Sequence, residues 1–183
     1  MAVESRLLAL GTAAPEFALP EVASARTVDL RDFREAQPLL VIFLCRHCPY
    51  VVHVQGELAR LGRDYQGRAG MVAISSNDAA AYPEDAPARL AAMVTEQGFP
   101  FPLLYDESQA VARAYGAGCT PEFFLFDQKR RLAYHGQFDD SRPGNGRPVT
   151  GRDLRAALDA LLQGTAVSSD QHPSIGCSIK WKH

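Results

Sequence analysis

Residues 39–44 read Leu-Leu-Val-Ile-Phe-Leu, an unbroken apolar run, β-branched in its middle and preceded by Pro38. With no polar alternation the run has no face to give to water, so it predicts a central strand covered on both sides. Directly after it come Cys45-Arg46-His47-Cys48-Pro49, and then Val51, Val54, Leu58 and Leu61 recur at helical spacing as far as Gly62. Proline fits the first turn of a helix, where its missing N–H costs nothing, so Cys48 is expected at or beside the N-cap. The two cysteines therefore lie on a strand-to-helix turn.

The order that follows is that of an α/β chain. Met71 to Ser75 predicts a second buried strand, residues 86–97 a helix that Gly98 terminates, and Leu103 to Tyr105 a short strand. Asp106 is placed to cap a helix over Ser108 to Tyr115, ended by Gly116 and Gly118. Two β-rich runs, Glu122 to Phe126 and Arg131 to Gln137, flank a polar turn and predict an antiparallel hairpin. Leu154, Leu158, Leu161 and Leu162 mark a last amphipathic helix before Gly164. Upstream of the central strand, Pro15 to Pro20 and Thr27 to Leu30 read as a small hairpin. Residues 139–147 and 165–183 look irregular, yet the second stretch keeps Ile175, Cys177, Ile179 and Trp181, a load that a solvated tail does not need. It is expected to pack back on the core.

The 183 residues make one domain, with a core over about 15–163 and a tail over 164–183. At this size a chain buries about 70% of its unfolded surface, so no disulfide or structural metal is needed for folding and cysteine is free for chemistry. Nineteen Lys and Arg against 21 Asp and Glu give a net charge of -2, which argues against nucleic acid or an anionic membrane as partner. The first ten residues carry Glu4 early and only a short apolar stretch, a poor signal peptide, and no segment approaches the roughly 20 apolar residues of a membrane span. A cytoplasmic protein is expected. Four cysteines at uneven spacing do not make a secreted disulfide scaffold.

A thiol attacks as thiolate, and an unperturbed cysteine near pKa 8.5 is mostly protonated at neutral pH. Three sources of positive potential stand beside this pair: the helix N-terminus, the fixed charge of Arg46, and His47 when protonated. Three-residue spacing lets the two sulfurs close a small ring, so a mixed disulfide on one can be resolved by the other. A redox pair is the reading these residues favour. A zinc site built on Cys45, His47 and Cys48 is the other functional one, but the remaining Cys119 and Cys177 are isolated and do not form a second ligand pair. A non-catalytic binding module is the third.

Cys-x-x-Cys on a strand-to-helix turn, followed later by Thr120-Pro121 and a strand hairpin, resembles the thioredoxin superfamily. More narrowly, Cys45-Arg46-His47-Cys48-Pro49-Tyr50-Val51, the segment from Cys119-Thr120-Pro121 to Asp127, and Gly176-Cys177-Ser178-Ile179-Lys180-Trp181 resemble its peroxiredoxin-like, redoxin-type branch. That branch is related to the alkyl hydroperoxide reductase and thiol-specific antioxidant proteins. The resemblance implies a thioredoxin-like fold, a central mixed β-sheet flanked by helices, with an N-terminal β extension, and a cis Pro121 beside the dithiol. It also implies an antioxidant oxidoreductase that acts on a protein or small-molecule disulfide, or a peroxide, with a thiol donor such as thioredoxin or glutathione and no cofactor. Val41 and Cys45 stand where a peroxidatic loop would carry Pro and Thr, and Thr120-Pro121 stands where it would be followed by an Arg; both departures favour disulfide exchange. Nor does any acid in residues 39–44 replace the buried Asp of thioredoxins.

The expected assignment is thus Cys45 attacking a substrate disulfide and Cys48 resolving it, with Arg46 and His47 tuning the thiolate. In the peroxidase alternative Cys48 attacks and Cys45 condenses with its sulfenic acid. Cys119 is either a buried filler or a third redox thiol, and Cys177 either a small buried hydrophobe or a resolving thiol near Cys119 or the Cys45 and Cys48 loop. His53, His135 and His172 are expected to be structural, and Glu122 an exposed strand-end acid.

Overall fold

The computed structural model describes residues 2–33 and 37–182; Met1 and His183, the ends of the expected domain, lie outside them. In chain order the elements are β1 (Ala2–Glu4), β2 (Ala18–Pro20), β3 (Thr27–Asp29), β4 (Leu39–Phe43), α1 (Pro49–Asp64), β5 (Gly70–Ser75) and α2 (Pro87–Gln97). They continue as β6 (Leu103–Tyr105), α3 (Ala110–Tyr115), β7 (Cys119–Thr120), β8 (Glu122–Phe126), β9 (Leu132–Gly136), α4 (Arg152–Gln163) and β10 (Ile175–Ser178).

All five residues of β4 are buried, as the apolar run requires. It lies in the middle of a five-stranded sheet of order β6-β5-β4-β8-β9, parallel to β5 and antiparallel to β8, so the sheet is mixed. Successive side chains of a strand point to opposite faces. Leu40, Ile42 and Leu44 accordingly pack with Val51, Val54 and Leu58 of α1, Leu90 of α2 and Leu154 of α4. Leu39, Val41 and Phe43 face Leu19 and Val28 of the β2–β3 hairpin, Tyr115 of α3, and Ile179. Helices thus cover one face completely, and the N-terminal hairpin, α3 and the tail cover the other. This is the thioredoxin-like arrangement with an N-terminal β extension.

Two local differences from the sequence reading have a physical reason. The third helix starts at Ala110, two residues later than the pattern implied, because Asp106 reaches past its first residues and accepts the Ala112 N–H at 2.9 Å. Residues 139–147 contain no helix or strand, but they are organised by the buried Asp139, whose carboxylate accepts the N–H groups of Ser141, Thr150 and Gly151. That carboxylate fixes the entry to α4.

The chain ends meet. β10 pairs antiparallel with β1 on one side and with β7 on the other, so the tail is the middle strand of a second, three-stranded sheet. Gly176 lets β10 approach β7 this closely: a Cβ there would stand 1.9 Å from the Thr120 carbonyl oxygen. Beyond the strand, Gln109 clamps the tail by donating to the Lys180 carbonyl and accepting the Lys182 N–H, each at 2.8 Å. The Arg113 guanidinium lies 4.4 Å from the centre of the Trp181 ring.

Candidate active site

Cys48 is the N-cap of α1, with extended backbone (φ -73°, ψ 123°) and Pro49 as the first helical residue. Its sulfur therefore sits beside the first, unpaired N–H groups of the helix, although it makes no capping hydrogen bond of its own. Cys45 lies just upstream, its sulfur 3.3 Å from the Thr120 hydroxyl. The Thr120–Pro121 peptide is cis, as the resemblance implied. Thr120 thus faces both sulfurs, because its carbonyl oxygen lies 3.1 Å from the Cys48 sulfur. All four cysteines are free thiols. Cys45 and Cys48 are 1% and 0% exposed, which matters because neither presents its sulfur to a molecule in solution.

The hydrogen bonds around the pair decide which sulfur holds the charge. Donation from the Cys45 thiol, opposed by burial and helped by Cys177 and the Val51 N–H, holds Cys48 well below the ordinary thiol value. Cys45 is pushed up, first because it is the donor to Cys48, then by burial and by the charge of Asp85. Protonated, Cys48 can donate to the Thr120 carbonyl; ionised, it loses that bond, and its charge is held by the Cys45 and Cys177 thiols and the backbone N–H groups of Val51 and Cys177. The arrangement is a thiolate with a thiol on each side of it.

Arg46 and His47 bring less positive potential to the sulfurs than their place in sequence implied. The Arg46 guanidinium pairs with Glu96 at 3.0 Å, lies 3.9 Å from Glu84, and donates to the Arg89 carbonyl. The His47 ring stacks on Tyr82, and its Nδ1 faces Asp85 at 2.6 Å. Neither residue is among the groups that lower Cys48, which are sulfurs and backbone. Asp85, fully buried, is the residue that sequence reasoning passed over. Its carboxylate accepts the Arg46 N–H and the Asn77 side-chain amide, both at 2.8 Å, and so ties the cysteine turn to the loop after β5. An acid between Pro83 and Pro87 was the only sequence signal for it. A buried carboxylate does stand beneath the dithiol, but it comes from a loop and not from β4.

Cys45, His47 and Asp85 each offer a donor atom within 4.8 Å of the others. A closed zinc site needs four ligands, whereas Asp85 already accepts two hydrogen bonds and the Cys48 sulfur turns to Thr120. The set suits a hydrogen-bonded buried acid better than a structural metal.

Glu122, expected at an exposed strand end, is fully buried. It accepts the Gly118 N–H at 2.8 Å and the Cys119 N–H at 3.1 Å, and bonds His135 Nε2 at 2.7 Å. Because His135 Nδ1 accepts the Leu8 N–H at 3.0 Å, the ring's other nitrogen is the one that donates to Glu122. The carboxylate so anchors the segment that leads into Pro121. Cys119 is buried as well, and burial together with Glu122 pushes its thiol up. Its sulfur lies 3.9 Å from the Pro121 carbonyl and 4.0 Å from that of Ser174, away from the dithiol: a filler by position. His53 bonds Ser141 at 2.7 Å and, with Tyr50, Pro121, Phe123 and Arg142, lines a cleft beside the cis peptide.

Residues 10–135 match the AhpC/TSA family. The chain belongs to that family, whose members are thiol-based redox proteins. It is 54% identical to an uncharacterised conserved protein of Geobacillus kaustophilus, covering 100% of this chain and 97% of that one with a TM-score of 0.97. A hypothetical protein of Sinorhizobium meliloti is 52% identical over 98% of both chains, with a TM-score of 0.96. The peroxidoxin BcpB of Mycobacterium tuberculosis shares the fold at 19% identity, with 85% of this chain and 96% of that one covered and a TM-score of 0.62. No curated protein matches. The family and the shared fold agree with the thioredoxin-like, redoxin-type resemblance of the sequence.

Proposed function

We propose that this protein is a thiol–disulfide oxidoreductase in which Cys45 and Cys48 cycle between dithiol and disulfide. The observation that carries the reading is that both sulfurs meet Thr120, at the N-terminus of α1 and against cis Pro121. Cys48, the sulfur stabilised as thiolate, is the nucleophile of the pair: it attacks the sulfur–sulfur bond that reaches it and releases a thiolate. The Cys45 thiol then loses its proton and attacks Cys48; the Cys45–Cys48 disulfide forms, and the sulfur bound to Cys48 leaves. Two electrons pass from the pair to the substrate. This order differs from the expected assignment, in which Cys45 attacks and Cys48 resolves; the depressed Cys48 thiol supports it.

The substrate class is a protein or small-molecule disulfide, with electrons returned by a thiol donor such as thioredoxin or glutathione in the cytoplasm. A peroxidase is the second reading, favoured by the depressed Cys48 thiol: its sulfur would take one peroxide oxygen and release the other as water or an alcohol, and condensation of the sulfenic acid with Cys45 would release water. Against it stands Arg46, which pairs with Glu96 and not with the thiolate. Insulin reduction and peroxide consumption, measured side by side on wild type, Cys45→Ser and Cys48→Ser, test both. Disulfide reduction that both substitutions abolish is the expected result. Peroxide consumption alone transfers the assignment to the second reading, and neither activity with any thiol donor overturns the enzyme.

A further inference from the structure

The active pair is closed off from solvent, yet one sulfur in contact with it is not. Cys177 lies directly opposite Thr120 in the β7–β10 pair. Residues directly opposite each other in an antiparallel pair share a face. Since Thr120 turns its hydroxyl to the Cys45 sulfur, Cys177 is on the face of the dithiol, while Cys119 and its partner Ser178 are on the other. Cys177 is close enough to the Cys48 sulfur to be among the groups that hold it below the ordinary thiol value. It is also partly exposed, whereas Cys45, Cys48 and Cys119 are buried.

We infer that Cys177 is the entry thiol of a three-sulfur relay, passing the substrate disulfide from the protein surface to the buried Cys45 and Cys48. The inference rests on the dithiol reading above and names the sulfur that meets the substrate. Cys177 passes its proton to the neighbouring Cys48 thiolate, attacks a disulfide, forms a mixed disulfide and releases one product thiolate, which takes that proton from Cys48. Cys48 attacks the Cys177 sulfur, forming a Cys48–Cys177 disulfide and releasing the second product. Cys45 attacks Cys48, restores the Cys177 thiolate and leaves the Cys45–Cys48 disulfide. Cys45 and Cys48 are oxidised, the substrate disulfide is reduced to two thiols, and the protons lost by Cys45 and Cys177 go to the products. Cys177 ends reduced, as it began.

The same contacts set the direction of reset. In the reduced protein Cys177 is pushed up to about 11, by burial first and then by its bond to Cys48 and by the Cys48 charge, with Lys180 opposing. A Cys45–Cys48 disulfide removes the Cys48 charge and leaves Lys180, so the entry thiol ionises more readily once the pair is oxidised. It is then able to reopen that disulfide and to offer an exposed one to an external thiol reductant.

Hydroxyethyl disulfide is a suitable probe. Cys177→Ser should turn it over at least about tenfold more slowly than wild type, because the remaining sulfurs are inaccessible, while still forming the Cys45–Cys48 disulfide at equilibrium in a redox buffer. Cys45→Ser, which leaves Cys177 in place, should halt with a Cys48–Cys177 disulfide found by mass mapping. Wild-type turnover in Cys177→Ser, or a Cys48 adduct of the probe in Cys45→Ser with no link to Cys177, overturns the relay and leaves the pair intact. A wild type that forms no Cys45–Cys48 disulfide at all overturns the pair itself, a different pattern.

Discussion

Glu122 and His135 bond at 2.7 Å with neither side chain exposed, and the other Glu122 oxygen accepts two backbone N–H groups just before the cis peptide. The carboxylate is a fastener for residues 118–121, accepting from three donors, two of them backbone N–H groups. Glu122→Gln turns an amide toward donors and is expected to cost about 2–3 kcal/mol, in the range of a hydrogen bond to a charged group. Urea unfolding of the reduced protein checks the figure. A loss under 0.5 kcal/mol, the ordinary effect of a surface substitution, would mean that the segment holds itself in place.

The depressed Cys48 thiol gives a pH prediction with a definite sign. A group ionised more easily in the folded state contributes stability that is fully present above its unfolded pKa, about 8.5, and is lost as pH falls toward the folded value. The reduced protein should lose stability across that window on acidification, and Cys48→Ser should lack this component of the slope. Ultraviolet thiolate absorbance should persist well below the ordinary thiol range in wild type and vanish there in the variant. If the signal instead disappears on acidification together with that of an unfolded cysteine, the N-cap is not stabilising charge.

Stabilising the thiolate also stabilises the reduced state, and a reduced state favoured by 1.4 kcal/mol raises the couple by about 30 mV. The Cys45–Cys48 couple is expected to be more oxidising than the roughly -270 mV of thioredoxin. Equilibration with glutathione buffers measures it directly; a value clearly lower contradicts the assignment of charge to Cys48.

Asp85 acts on the pair through position and through charge. In Asp85→Asn the turn keeps a hydrogen-bond acceptor for the Arg46 N–H, but the negative charge that helps to push Cys45 up is gone. The higher-pH thiol titration should move down in this variant while the fold survives. A titration that does not move would leave Asp85 a purely structural anchor.

Much of the architecture was legible because β4 is unambiguous: its run of buried residues fixes a central strand, and the cysteine turn and α1 follow from Pro49 and the helical spacing. What was not legible depends on contacts between distant segments. Glu122 read as an exposed acid because its three donors, on Gly118, Cys119 and His135, meet only in the folded chain. Arg46 read as a tuner of the thiolate because Glu96, on α2, is far away in sequence. β1, β7 and β10 are two to four residues each, too short for a periodic pattern, and were missed as strands although the tail's docking was expected from Ile179 and Trp181.

Gly176 provides a test of the second sheet. Gly176→Ala sets a methyl group against the Thr120 carbonyl, so β10 must withdraw from β7, with an overpacking cost of about 1–3 kcal/mol. Protease cleavage within residues 165–182 should become faster, and hydroxyethyl disulfide turnover should fall with it. A variant as resistant as wild type would show that β7 yields and β10 stays.

That sheet also orders events during synthesis. A chain emerging from the ribosome at about 5–20 residues per second can assemble β4, α1 and the strands around them before its last segment exists. Until β10 arrives, β7 has an open edge and Cys48 lacks one of its two thiol neighbours. A chain in which β10 has not yet docked therefore holds its dithiol in an unfinished environment, and chemical competence waits on the closing of that sheet.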